Sequence, residues 1–141
     1  MPSKYLLAID QGTTGTRAVL FDDKVRPVCQ EYRESTQYYP YPGWVEQDPE
    51  EIWKSTIYVV EKVIEKSRVS PLNIEGIGIC NQRETVVFWD KDTGSPAGKA
   101  IVWQCRRTVD ICEEWKKRGL SPLVKAATGL SIDPYFSARN E

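Results

Sequence analysis

The amino-terminal segment constrains the fold most strongly, because two apolar runs flank a polar turn. Residues Tyr5–Ile9 are continuously apolar, which is typical of a strand covered on both faces. The run stops at Asp10, a turn rich in glycine and threonine follows, and Ala18–Phe21 resumes the apolar pattern. This spacing predicts a β-hairpin with a polar, glycine-containing tip.

The next segments predict a third strand and a long helix. Residues Val25–Tyr32 indicate another antiparallel strand, and Pro27 within it favours the edge of the sheet. Asp48, Pro49 and Glu51 together are typical of a helix start. Apolar residues then recur at steps of three and four, which predicts one buried face. Its members are Ile52, Trp53, Thr56, Ile57, Val60, Val63 and Ile64.

Further along the chain, strands and helices alternate. The predicted strands are Ile74–Cys80, Thr85–Trp89 and Ala100–Trp103, and the predicted helices are Gln104–Arg118 and Pro122–Ala127. Gly119 and Gly129 end the two helices. Strands followed by helices in this order predict an α/β layer structure.

Composition excludes several classes of function. The 141 residues fit one ordinary domain, and 19 basic against 20 acidic residues give no electrostatic basis for binding nucleic acid or an anionic membrane. The chain has no histidine, which excludes Ser-His-Asp and Cys-His catalysis and imidazole-ligated zinc. No signal peptide or membrane span is visible, so we expect a cytoplasmic protein whose four cysteines are reduced.

Polar clusters follow three of the strands, at positions where α/β sheets commonly bind ligands. In the first cluster, Asp10–Arg17, two glycines allow a tight turn whose backbone N–H groups converge on an anion. Three threonine hydroxyls and Arg17 suit phosphate, and the Asp10 carboxylate suits a hydrated Mg²⁺. On spacing alone, a threonine-rich turn without a ligand explains the cluster equally well.

The second cluster, Asn81–Glu84, consists of four consecutive hydrogen-bonding side chains between apolar segments. Arg83 can donate to oxygens and Glu84 can accept from hydroxyls, so the pair is complementary to a polyol. The alternative is a solvated hairpin tip with an internal ion pair.

The third cluster is Trp103–Thr108. Trp103 can offer a flat face to the C–H side of a polyol, although a tryptophan that ends a strand more often packs. Arg106 and Arg107 fit a solvated helix start as well as they fit a site. The remaining prominent aromatic residues are interpreted as packing residues. They are Tyr41, Trp44, Trp53, Trp89 and Trp115.

Five segments closely resemble the glycerol kinase branch of the FGGY carbohydrate kinase family. They are Asp10–Arg17, Pro42–Pro49, Asn81–Thr85, Ala100–Thr108 and Asp133–Ser137. The resemblance covers nearly the whole chain in order. Asn81–Thr85 separates this branch from the pentulose and hexulose kinases of the same superfamily.

The resemblance implies an actin-like, ribonuclease H-like α/β fold, with residues 1–141 forming an incomplete amino-terminal lobe of a two-lobed kinase. It also implies transfer of the γ-phosphoryl group of ATP, with Mg²⁺, to glycerol, giving sn-glycerol 3-phosphate. The full-length protein is then expected to be a homo-oligomer.

Site residues carry over by matching position. The resemblance implies that Thr13, Thr14, Gly15 and Arg17 face the nucleotide phosphates and that Asp10 lies near Mg²⁺. It further implies that glycerol is bound by Arg83, Glu84, Trp103 and Tyr135.

The sequence also departs from the family pattern. Gly15 stands where the family usually has serine, and Ala97–Lys99 replaces an aromatic-Asn stretch. The family's general base, an aspartate, and its adenine-binding domain lie beyond position 141, so we expect the isolated chain to be inactive. A non-catalytic glycerol-binding or interaction fragment and a kinase for a related polyol are the alternatives.

Overall fold

The computed structural model describes residues 4–136, which form two compact units. The first contains residues 4–36 and 48–82, and the second contains residues 37–47 and 83–136. The strands are β1 (Tyr5–Gln11), β2 (Gly15–Asp22), β3 (Pro27–Glu34), β4 (Glu46–Gln47), β5 (Ile74–Cys80) and β6 (Ala100–Ile101). The helices are α1 (Pro49–Ser67), α2 (Val109–Lys117) and α3 (Ser121–Thr128). Ser137, the last residue of the fifth matching segment, and the four residues after it lie outside the described residues.

A four-stranded sheet with the order β3-β2-β1-β5 forms the frame of the first unit. Strands β1, β2 and β3 are antiparallel neighbours, which confirms the predicted hairpin and the edge position of the strand that contains Pro27. Strand β5 is parallel to β1. A parallel pair needs a crossover connection, and α1 lies in the segment that provides it.

Helix α1 begins as the sequence predicts. The Asp48 carboxylate accepts a hydrogen bond of 2.8 Å from the Glu50 N–H, and Pro49 occupies the first turn. The buried residues of the helix are Ser55, Val59 and Val63. The predicted face is therefore only partly correct: Val63 is buried, but Trp53 is 62% exposed and Ile57 is also exposed. Apolar residues that recur every three to four positions identify an apolar stripe on a helix, but they do not show which edge of that stripe packs against the sheet.

The core of the first unit lies between α1 and the sheet. Its buried members come from two strands and the helix, and they are Leu7, Ile9, Ala18, Leu20, Val59 and Val63. Burial of a valine, leucine or isoleucine side chain stabilises a fold by about 1.5–3 kcal/mol.

Apolar residues of β1 and β5 remain outside this core. Leu6 is 49% exposed, Ile77 is 62% exposed and Ile79 is 72% exposed. The expectation that β1 is covered on both faces is therefore wrong for the described residues. Helix α1 packs against β1, β2 and β3, and an apolar run cannot itself indicate how many layers cover it.

The second unit is built around the antiparallel pair β4–β6, in which Gln47 pairs with Ala100. The predicted strand Thr85–Trp89 is reduced to two isolated bridges, Val86 with Ile101 and Trp89 with Pro96. These contacts join distant or irregular segments, so local sequence patterns do not reveal them.

The segment between β6 and α2 also differs from the prediction. The last strand ends at Ile101 because the Cys105 N–H turns back to the Val102 carbonyl at 2.8 Å. Helix α2 begins at Val109 instead of Gln104, since the Arg106 N–H donates to the Gly43 carbonyl at 2.7 Å. Helix α3 follows the prediction closely.

Two further expectations can be compared with the described residues. All four cysteines are free, and Cys105 and Cys112 are buried. Within residues 4–136, none of the helices combines the length and the hydrophobicity that crossing a membrane requires.

The uneven coverage of the sheet gives a test of the fold. Leu20 is fully buried, so Leu20→Ala should lower the free energy of unfolding by about 2–5 kcal/mol. Ile77→Ala is the matched control, and its exposed position should limit the change to about 0.5 kcal/mol. Urea denaturation of both variants measures the difference, and equal losses would contradict the described core.

Candidate functional site

The first polar cluster forms the turn between β1 and β2. The Gly12 N–H donates to the Gly15 carbonyl at 3.0 Å and closes the turn. Asp10 and Arg17 pair across the two strands, and both are exposed. An acidic and a basic residue therefore lie opposite each other on the two strands, next to the turn of the hairpin.

Gly15 is buried in a place that has no room for a side chain. A Cβ atom there would overlap the Tyr32 hydroxyl and would lie 2.5 Å from the carbonyl oxygen of Arg33. The sequence indicated that glycine allows the tight turn, but it did not indicate this close approach of β3. Glycine at position 15 is therefore required by packing, whereas its φ is not positive and its backbone conformation does not itself require glycine.

Tyr32 is a neighbour of the turn that the sequence did not single out. Its hydroxyl donates to the Thr14 carbonyl at 3.0 Å, and the Arg17 guanidinium lies 5.6 Å from the centre of its ring. No signal in the local sequence marks Tyr32, because the pairing of β3 with β2 brings it there.

The threonines of the turn differ in accessibility. Thr14 is exposed and Thr13 is half-buried, so their hydroxyls remain candidates for a ligand. Thr16 is fully buried, and its hydroxyl has no hydrogen-bond partner within the described part of the chain. The expectation that Thr16 adds a donor to the surface is therefore wrong.

The acidic residues of the described chain do not form a preformed metal-binding site. Among residues 4–136, no group of three or more histidine, cysteine or acidic side chains could hold a metal ion. The exposed Asp10 carboxylate still fits Mg²⁺, since that ion keeps several waters and takes few direct protein ligands.

In the second unit, the structure brings Trp103 and Tyr135 together. Their ring centres are 5.5 Å apart at an angle of 65°, and both residues are half-buried. The Tyr135 N–H donates to the Asp133 carboxylate at 2.9 Å, which fixes the backbone of this segment. The two rings therefore form an edge-to-face aromatic corner.

Glu84 and Trp103 lie on the same side of the bridge between Val86 and Ile101. The bridge is antiparallel, and each of the two residues lies two positions from it. Glu84 has a φ of 61°, a left-handed conformation that costs a residue with a side chain about 1–2 kcal/mol. Arg83, immediately before it, is exposed.

Arg107 lies within a packed cluster and is only 15% exposed at its side chain. Its guanidinium lies 3.8 Å from the centre of the Trp44 ring and donates to the Glu46 carboxylate at 2.7 Å. Its Nε also donates to Cys105 Sγ at 3.0 Å. Arg107 is therefore packed and is not a solvated residue at a helix start, whereas the Arg106 side chain is 54% exposed.

The same cluster changes the ionisation of Cys105. Burial alone would raise the pKa of this thiol, but hydrogen bonds from Arg107 outweigh it and hold the pKa below its usual value. Cys105 is 1% exposed, so its sulfur serves as an acceptor that orients Arg107.

The other aromatic residues do not all pack as expected. Trp44 packs on Arg107, with Tyr41 at its edge. Trp53 and Trp89 are more than 60% exposed, so the interpretation of these two as packing residues is wrong for the described chain. Tyr41 is 63% exposed, although its ring packs against Trp44.

The close approach at Gly15 gives a second test. Gly15→Ala should lower the free energy of unfolding by about 1–3 kcal/mol, because the added methyl group overpacks against the Arg33 carbonyl. Gly78→Ala is the matched control, since a Cβ atom at Gly78 meets nothing within 4 Å. A loss of the same size in both variants, measured by urea denaturation, would refute the packing argument.

Arg107 supports a third test. Arg107→Lys keeps the charge but loses the flat fork that stacks on Trp44 and reaches Glu46. We expect a loss of about 1–2 kcal/mol in stability. Arg106→Lys is the control, because its 3.6 Å ion pair with Asp133 is exposed and contributes about 0–1 kcal/mol. Thermal unfolding compares the two, and an Arg107→Lys variant as stable as its control would argue against the cluster.

Comparison with known proteins identifies the family. The sequence profile of the N-terminal domain of the FGGY family of carbohydrate kinases matches residues 5–140. Glycerol kinase 2 from Thermotoga maritima is 54% identical over 134 residues, which are 95% of this chain and 27% of that protein. The chain therefore spans about a quarter of the length of this relative.

Solved structures agree on the fold. The crystal structure of Plasmodium falciparum glycerol kinase with ADP matches 98% of this chain and 28% of its own, with a TM-score of 0.89 and 31% identity. Gluconate kinase from Lactobacillus acidophilus matches 94% of this chain and 26% of its own, with a TM-score of 0.86 and 22% identity. The actin-like α/β fold implied by the sequence is confirmed, and the chain belongs to the FGGY family of carbohydrate kinases.

Proposed function

We propose that this chain is part of a glycerol kinase, which transfers the γ-phosphoryl group of ATP to glycerol and forms sn-glycerol 3-phosphate. Residues 1–141 then belong to its amino-terminal domain. The observation that carries the proposal is the 54% identity with Thermotoga maritima glycerol kinase 2 over 95% of this chain. A gluconate kinase shares the fold almost as closely at 22% identity, so the fold alone does not select the acceptor.

The acceptor is assigned to residues of the second unit. The corner formed by Trp103 and Tyr135 offers aromatic surface to the C–H groups of a small polyol. Glu84 accepts hydrogen bonds from hydroxyls, and Arg83 donates to their oxygens. Three hydroxyls on a three-carbon chain need both kinds of partner, together with a surface that excludes water from the carbon side.

The nucleotide phosphates are assigned to the turn of the first unit. The backbone N–H groups of Thr13, Thr14 and Gly15 and the guanidinium of Arg17 are the proposed donors. Asp10 would hold Mg²⁺ through its hydration shell. When bound, ATP and Mg²⁺ supply the phosphoryl group and neutralise part of its charge.

The roles assigned to these residues are binding and orientation. Phosphoryl transfer depends mainly on holding donor and acceptor in line, and effective molarities for well-oriented groups reach about 10⁵–10⁸ M. The resemblance assigns the general base to an aspartate outside these residues. We therefore assign no proton transfer to this chain.

A chimera tests the proposed function. Residues 5–136 replace the matching segment of Thermotoga maritima glycerol kinase 2, and ADP release is measured with glycerol, with gluconate and with no acceptor. We expect glycerol-dependent ADP release well above both other reactions. A folded chimera without it would contradict the proposal, and a preference for another polyol would support a related kinase instead.

Arg83 provides the sharpest test of the acceptor site. In the chimera, Arg83→Ala should raise the KM for glycerol by about tenfold or more, because charged hydrogen bonds contribute about 1.5–3 kcal/mol. The KM for ATP should change little. Arg118→Ala is the control, since its side chain is 62% exposed on another segment of the same unit. Unchanged glycerol kinetics in Arg83→Ala would refute the assignment.

A further inference from the structure

One side chain outside the proposed site contacts three of the four residues assigned to the nucleotide phosphates. Tyr32 lies on β3, and its partner across the ladder is Arg17 on β2. Its hydroxyl reaches the Thr14 carbonyl, and a Cβ atom at Gly15 would overlap that hydroxyl. All of these residues belong to the first unit.

The Thr14 carbonyl accepts two hydrogen bonds from the end of β3. The Tyr32 hydroxyl donates at 3.0 Å, and the Ser35 N–H also donates at 3.0 Å. Both lone pairs of that oxygen are thus occupied, which fixes the peptide plane between Thr14 and Gly15. The direction of the Gly15 N–H follows from that plane, because the peptide group is rigid.

The Arg17 guanidinium lies over the ring of Tyr32. Arg17 is exposed, and its Cζ lies 5.6 Å from the centre of the Tyr32 ring. A cation over an aromatic ring is attracted by the ring face. Tyr32 therefore limits the directions that the Arg17 side chain can take.

Gly15 and Tyr32 form a matched pair. The absence of a Cβ atom at position 15 leaves the space that the Tyr32 hydroxyl occupies. A side chain at position 15 and the present position of Tyr32 exclude each other. The hydroxyl next to Gly15 is therefore that of Tyr32 on β3, and no side chain at position 15 supplies one.

From these contacts, we infer that Tyr32 is a positioning residue for ATP: it fixes the Thr14–Gly15 peptide and the Arg17 guanidinium in the orientation that binds the phosphates. This inference rests on the proposed function for its ligand. The positioning itself rests only on contacts within the first unit.

Amide hydrogen exchange on the 141-residue chain tests the positioning without any assay of activity. Tyr32→Phe keeps the ring and removes the hydroxyl, so exchange at Ser35 and Gly12 should accelerate roughly two- to tenfold, the range that one neutral hydrogen bond represents. Tyr39→Phe is the matched control, because it removes an exposed hydroxyl bonded to Gln37 at 3.0 Å. Equal exchange in the two variants would overturn the inference.

Kinetics of the chimera test the link to ATP. Tyr32→Phe should raise the KM for ATP roughly two- to tenfold, and Tyr32→Leu should raise it further because the ring is also lost. The KM for glycerol should stay at the value of the Tyr39→Phe control. An unchanged KM for ATP, or equal changes for both substrates, would contradict a positioning role. If the parent chimera releases no ADP with glycerol, the proposed function fails, whereas the exchange experiment still decides the role of Tyr32.

Discussion

The packing of α1 across the first hairpin is the interaction on which the first unit depends. Leu7 and Leu20 on the strands and Val59 on the helix are buried together, and this contact brings the chain back to form β5 parallel to β1. The parallel pairing in turn places Asp10 beside Cys80, the residue before the second polar cluster. Burial of a small aliphatic core thus determines which polar residues lie at the ends of neighbouring strands.

Local patterns predicted the features that local chemistry determines. The β1–β2 hairpin, the Asp48 cap of α1 and the glycine at the end of α3 all arise from residues within a few positions of each other. Strand β6 was predicted, but β4 and its pairing with β6 were not, because β4 has only two residues and its partners are more than fifty positions away. The predicted strand Thr85–Trp89 is not formed as a continuous strand, because only Val86 and Trp89 find bridge partners and a run of strand-forming residues does not reveal whether a neighbouring strand lies beside it.

The candidate site shows the same difference between features that local residues determine and features that remote contacts determine. The sequence marked the residues whose chemistry suits phosphate and a polyol, and the structure joins Trp103 with Tyr135 across thirty-one intervening residues. The supporting residues were less visible: the side chains of Tyr32 and Arg107 differ little in type from exposed neighbours such as Tyr39 and Arg106. What distinguishes them is the group that a remote segment presents to them: the Thr14 carbonyl for Tyr32, and the Trp44 ring and the Glu46 carboxylate for Arg107.

The exposed residues of β5 have a practical consequence. Within residues 4–136, this strand has a neighbouring strand on one side only, and its residues Ile77 and Ile79 are more than 60% exposed. A strand edge with apolar residues and unpaired backbone groups is a template for pairing with another chain. Concentrated preparations of the 141-residue chain should therefore associate through this edge, and the concentration at which the chain is stored will influence how long it stays monomeric.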